Sequence, residues 1–311
     1  MKTVSVIIPV YNREELIERS VRSVLDQTYP GLKEVIVVDD CSTDRSAEIV
    51  KSIDDLRIRY VKAKKNSGAG PSRNLGIELA EGDLIAFQDS DDYWLPEKLE
   101  KVAAYQEETD ADMIFHAFLF KDLKNGVEAR MPGILFPQGR ISYDQLLPDN
   151  KAGTPTFVMK KECAKANRFN TDMPSLEDWE LALRLCMDGY KVYFLNEVLL
   201  VAEVQDDSKS RNYEKLFEGL NKIFFMTERR QRVDRETEAD EKRALEARLA
   251  AEEVKNRQQQ EQIDRLTREC DEHYRNALKA TSDYQQILQT TSWKITKPLR
   301  TVQEIVHKRK D

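Results

Sequence analysis

Four apolar runs rich in Val and Ile punctuate the early chain: VSVIIPV, EVIVVDD, IRYV and DLIAFQD. Short runs of this kind read as buried parallel strands. Amphipathic stretches separate them at Glu14–Thr28, Thr43–Ser52 and Pro71–Ala80. That alternation predicts an α/β architecture with a mostly parallel sheet. Thr43 and Pro71 are residue types that favour a helix start. Ligands of open parallel sheets bind outside the carboxyl ends of the strands. The acids collect there, with Asp39 and Asp40 after the second run and Asp89, Asp91 and Asp92 after the fourth. Carboxylates packed this closely repel one another, so a positive charge is expected among them.

Composition narrows the class. The chain has 311 residues and a net charge of −7, which argues against a nucleic-acid binder. Its four cysteines are scattered without a CxxC, so neither a disulfide framework nor a zinc knuckle is expected, and a reducing cytosol fits. With three histidines, His116, His273 and His307, a histidine-built metal site is not expected. The first apolar run is too short for a signal peptide, and no window approaches the length of a spanning helix. A cytoplasmic protein is the expectation.

Beyond Gly219 the character changes. No Gly or Pro occurs from Leu220 to Lys297, which as one helix would extend about 117 Å. Ile263, Leu266, Cys270, His273, Ala277, Ala280, Tyr284 and Ile287 recur at heptad spacing, which predicts a coiled coil and a homo-oligomer. A solvated single helix held by ion pairs is the other reading. From Trp293 onward a basic amphipathic segment carries Ile295, Leu299, Val302 and Val306 on one face. It is expected either to bind an anionic membrane surface from the cytoplasmic side or to dock on its own catalytic domain. The expected divisions are therefore 1–220, 221–291 and 292–311.

The order of motifs is more specific than any single one. SVIIPVYN, VVDDCSTD, NSGAGPSRNLG, FQDSDDYW and SLEDWE follow one another. In this series the chain resembles the family 2 glycosyltransferases over roughly residues 3–210. That family has the GT-A fold, a Rossmann-like nucleotide-sugar-binding sheet, and commonly transfers a sugar from a nucleoside diphosphate with inversion. The resemblance implies Asp91 as ligand to Mg²⁺ or Mn²⁺, hard cations that favour oxygen donors and bridge carboxylates to phosphates. It places Asp89 near the ribose and Pro9, Tyr11 and Asn12 around the base. Asp40 would accept from a base N–H, which favours uracil or thymine, with a UDP-sugar as the expected donor. Gly68, Gly70 and Arg73 would close on the nucleotide. Asp178 would be the base that deprotonates an acceptor hydroxyl, with Glu177 beside it and Trp179 lining the acceptor or sugar site. Asp92 is expected only to cap a helix near Pro96. The acceptor would be a glycan, lipid-linked or cell-envelope polysaccharide.

Two departures stand out. Cys41 occupies a place where the family usually has Gly, and little change is expected from a small thiol. Gln205 stands where the family often has a metal-binding His, with Asp206, Asp207 and Ser208 following. Two other readings remain open on sequence: a non-catalytic sugar-nucleotide-binding scaffold, and a haloacid dehalogenase-type phosphatase built on the DxD. Residues 134–153, which would shape donor choice, carry no readable code.

Overall fold

The computed structural model describes residues 1–122, 124–132, 136–203 and 213–233. The chain divides into two units, Met1–Phe224 and Phe225–Asp311. The second is described only as far as residue 233, so the heptad segment and the basic tail lie outside the described residues, as do Gln205 to Ser208.

The first unit begins with β1 (Val4–Val10), α1 (Ile17–Leu25), β2 (Leu32–Asp39), α2 (Ser46–Ser52), β3 (Ile58–Lys62), α3 (Ala69–Leu79) and β4 (Leu84–Phe87). It continues with β5 (Tyr93–Trp94), α4 (Lys98–Thr109), β6 (Met113–Asp122), β7 (Val127–Met131) and β8 (Gly139–Arg140). Then come α5 (Tyr143–Leu146), β9 (Val158–Lys160), α6 (Lys161–Ala166), α7 (Glu177–Met187) and β10 (Val192–Glu203); α8 (Tyr213–Val233) follows.

Among the described residues the strands form one sheet in the order β3–β2–β1–β4–β9–β6–β10–β5, with β7 on β6 and β8 on β10. The longer ladders, β1 with β2 and β4, β2 with β3, and β6 with β10, are parallel. The ladders through β5, β7, β8 and β9 are antiparallel. The chain runs outward from β1 to β3, then returns to lay β4 on the other side of β1. Strand order reverses there, and a crevice opens at the carboxyl ends of β1 and β4.

Burial explains the strands. Every residue of β1 and β4 is buried, so a continuous Val/Ile run is what two covered faces demand. On α1, Ile17, Ser20, Val21, Val24 and Leu25 are buried at helical spacing. Helix α3 lies against β1 because Gly76 has no side chain; a Cβ there would stand 2.4 Å from Ile7 Cγ2. Gly76→Ala is therefore expected to cost about 1–3 kcal/mol through overpacking. Thermal denaturation checks this, and an unchanged midpoint would mean that α3 lifts from the sheet without cost.

Three local expectations need correction. Helix α2 starts at Ser46 after Arg45, not at Thr43, because Asp44 Oδ1 already accepts the Ser46 N–H. Helix α3 starts at Ala69 after Gly68, whose φ of 93° lies in the region that favours glycine. Asp92 caps no helix; α4 begins at Lys98 behind Glu97, and Asp92 is buried.

Candidate active site

The loop after β4 is pinned by its backbone. Ser20 Oγ donates to the Asp89 carbonyl at 2.9 Å, Gln88 Nε2 to the Asp92 carbonyl at 2.8 Å, and Arg19 to the Asp91 carbonyl at 3.0 Å. Its three carboxylates then take different environments. Asp92 turns inward, where burial, and then the charges of Asp89 and Asp91, push its pKa well above the carboxylate range. Asp89 Oδ1 accepts from Arg73 at 2.7 Å. Asp91 remains at the mouth of the cleft with its side chain 24% exposed, 3.5 Å from Arg13 Nε. Guanidinium groups thus meet the charge of both outward-facing aspartates.

The loops after β1 and β2 are stitched together. Asn12 Oδ1 accepts the Thr43 N–H at 2.8 Å, and the Asn12 N–H donates to Ser42 Oγ at 3.1 Å. Asp39 is fully buried and holds its own loop, accepting from Ser42 N at 2.7 Å and from the Tyr60 hydroxyl. Asp40 reaches across to the start of α3, where its two oxygens accept the Ser67 and Gly68 N–H groups at 2.9 and 2.6 Å. Pro9, Tyr11, Asp40 and Gly68 line the cleft, and Tyr11 keeps 45% of its surface exposed, as a stacking platform would. Asn12 and Gly70 do not line it; a Cβ at Gly70 would meet open space. Asn12, Cys41 and Leu176 each hold positive φ, of 49°, 67° and 63°, in loops around the site. Such backbone costs on the order of 1–3 kcal/mol per residue. Cys41 is thus a strained stand-in for the expected glycine, not a neutral one.

Arg73 joins the two ends of the site. It is 5% exposed, donates to Asp89 at 2.7 Å and to Glu177 Oε1 at 2.9 Å, and lies 5.4 Å from the Phe169 ring centre. Burial alone lowers its pKa, but the charges of Asp89 and Glu177 outweigh this and the net direction is upward. Beside Glu177, at the start of α7, Asp178 has its pKa raised to about 6, by burial first and then by Glu177. Trp179 turns away into the core and donates through Nε1 to the Leu146 carbonyl at 2.8 Å.

The cleft, of about 590 Å³, is lined by Asp40, Arg73, Asp89 and Asp91, while Glu177, Asp178 and Trp179 lie outside its lining, behind Arg73 and the 153–155 stretch. It also takes in Arg13, Phe118, Pro155 and Glu203, which the motifs did not reveal. Arg13 directly follows the Tyr11–Asn12 motif, and its charge was the available signal. Phe118 and Glu203 lie on β6 and β10, where ordinary strand residues give no such signal. Among the described residues, no group of three or more His, Cys, Asp or Glu side chains is arranged to hold a metal ion.

The fold is that of the GT-A glycosyltransferases. The model for Glycosyl transferase family 2 matches residues 5–163, and the chain belongs to that family. It is 34% identical over 214 residues to TuaG of Bacillus subtilis (strain 168), a glycosyltransferase assigned to teichuronic acid biosynthesis, covering 67% of this chain and 82% of that protein. It is 31% identical over 214 residues to the UDP-Glc:alpha-D-GlcNAc-diphosphoundecaprenol beta-1,3-glucosyltransferase WfaP of Escherichia coli, covering 68% and 81%. Among solved structures, S. aureus TarS 1–349 in complex with UDP-GlcNAc is similar with a TM-score of 0.59 and 28% identity. That match covers 71% of this chain and 65% of that one. The protein is thus a glycosyltransferase, and the phosphatase reading is displaced.

Proposed function

We propose that this glycosyltransferase moves a sugar with inversion from a UDP-sugar to a hydroxyl of a cell-envelope or lipid-linked glycan. The observation that carries this reading is the Arg73 bridge, which ties the donor-side Asp89 to Glu177, the neighbour of Asp178. One rigid cation thereby fixes the distance between the leaving-group side and the base side. In the reaction, the acceptor oxygen attacks the anomeric carbon, the bond to the diphosphate breaks on the opposite face, and Asp178 takes the hydroxyl proton. The uridine preference is supported by the names of WfaP and TarS and by Asp40 and Tyr11 in the cleft. The envelope acceptor is supported by what TuaG and WfaP are described as making.

Asp91 fits a divalent cation by its chemistry: a hard oxygen donor at the cleft mouth, where substrate phosphates would complete the shell. Such an ion would supply charge neutralisation of the diphosphate. Arg13 and Arg73 would add cationic charge beside it. Asp91→Asn is expected to abolish nucleotide release, and EDTA to do the same to the native protein. Release measured across several sugar nucleotides tests the whole reading. Full activity in EDTA would transfer the neutralising role to Arg13, and absence of release with every UDP-sugar would remove the donor assignment.

A further inference from the structure

The end of α5 and the segment between α5 and β9 are tied to the first turn of α7 at three places. Trp179 Nε1 donates to the Leu146 carbonyl at 2.8 Å, Asn150 Nδ2 donates to Asp178 Oδ1 at 3.1 Å, and the Thr154 N–H donates to Asp178 Oδ2 at 3.3 Å. The orientation of the Asn150 amide follows from its other end, where Oδ1 accepts the Ala152 N–H at 3.2 Å. A flipped amide would set oxygen against carboxylate on one side and N–H against N–H on the other. Asp178 Oδ1 also accepts the Trp179 N–H at 2.7 Å. Oδ1 therefore has two donors on it, whereas Oδ2 has one long contact and keeps capacity for a further proton.

We propose that Asn150 is a positioning residue for transfer: it holds Asp178 by Oδ1 and so leaves Oδ2 to take the acceptor proton. The proposal rests on Asp178 being the base. Nothing in the sequence around LLPDNKAGT marks this role, because the contact spans two distant segments of chain.

The charged groups facing Asp178 are Glu177 from its own helix and Arg73 from α3, with Asp89 on the far side of Arg73. Asn150 and Thr154 come from the tethered segment and are neutral. An N–H donated to a carboxylate favours its charged form. Removing the Asn150 donor therefore makes Asp178 harder to ionise, and activity that needs the carboxylate should begin at higher pH. A side chain that merely braced the segment would lower activity equally at every pH.

The test compares full-length native protein with Asn150→Ala and Asn150→Asp, measuring kcat against pH and UDP affinity by calorimetry. Asn150→Ala should lower kcat about tenfold at neutral pH and move the rising limb upward by about half to one pH unit, with UDP affinity unchanged. Asn150→Asp puts a repelling carboxylate in the same place and should move the limb further. Loss of kcat with an unmoved limb would overturn the proposal, and so would parallel loss of UDP affinity. Asp178→Asn keeps the two ideas apart. If that variant is inactive while Asn150→Ala leaves the profile in place, only the positioning role fails. If it keeps full kcat, the base assignment itself fails.

Discussion

Asp178→Asn is expected to lower kcat by about 10²-fold or more while leaving donor affinity nearly unchanged. As the proposed base Asp178 would act on the acceptor, so what is lost would be proton removal during transfer rather than grip on the nucleotide. In the native protein the same group, as the proposed base, is expected to set the pH dependence. With its pKa raised to about 6, Asp178 is protonated and idle below that value, so kcat should rise through about pH 6 and level off above pH 7. The stability consequence has the opposite sign. A carboxyl whose folded pKa lies above its unfolded value of 3.8 binds its proton more tightly in the native state, so it costs stability increasingly as pH rises from about 4 through 6. Asn cannot ionise and escapes that cost. At pH 8 the inactive variant should therefore melt no lower than the native protein, and the difference between them should change in the native protein's favour as pH falls toward 4. Retained kcat at saturation with collapsed donor binding would make Asp178 a binding residue.

The parallel half of this architecture could be read from sequence because its physics is local. β1, β2 and β4 are buried on nearly every residue, and a strand covered on both faces has to be an unbroken apolar run. The antiparallel strands offered no comparable signal. β7 is exposed or half-buried throughout, β5 and β8 are two residues each, and β9 is three. For the site, the motifs brought Asp40, Asp89, Asp91 and Arg73 to one cleft, because each lies at a strand end or in the first turns of the helix beside it. They did not reveal the division of labour among neighbouring acids. Asp39 and Asp40 are adjacent, yet one is buried beneath its loop and the other reaches α3; only the direction of each side chain separates them. Asp91 and Asp92 differ in the same way, by which side of the turn they leave. Asn150 was invisible because its partner is distant in sequence and its residue type is ordinary in a loop.

Arg73→Met should damage stability and turnover together. The guanidinium is buried and is the shared partner of Asp89 and Glu177 in the structure. Removing it leaves two carboxylates facing one another with no cation between them. Breaking a buried ion pair costs about 3–5 kcal/mol, and the partial exposure of both acids places the expected loss near the lower end, at about 3 kcal/mol. Arg73→Lys retains charge but has no planar fork, so a single ammonium cannot satisfy two carboxylates in the same geometry. It should melt between native and Met variant, yet turn over little faster than the Met variant. Positional errors of about 1 Å between reacting groups are enough to cost about 10²-fold in rate, and Arg73 ties the Asp89 loop to Glu177, next to the proposed base. Adding Glu177→Gln to Arg73→Met separates charge from geometry. The double variant removes one of the two repelling charges and should recover part of the lost stability in urea melts, an energetic coupling expected between residues in contact. Its kcat should stay low, because nothing restores the bridge. Recovery of both together would reduce Arg73 to a charge balancer, and full native stability in Arg73→Met would show that Asp89 and Glu177 find water in its place.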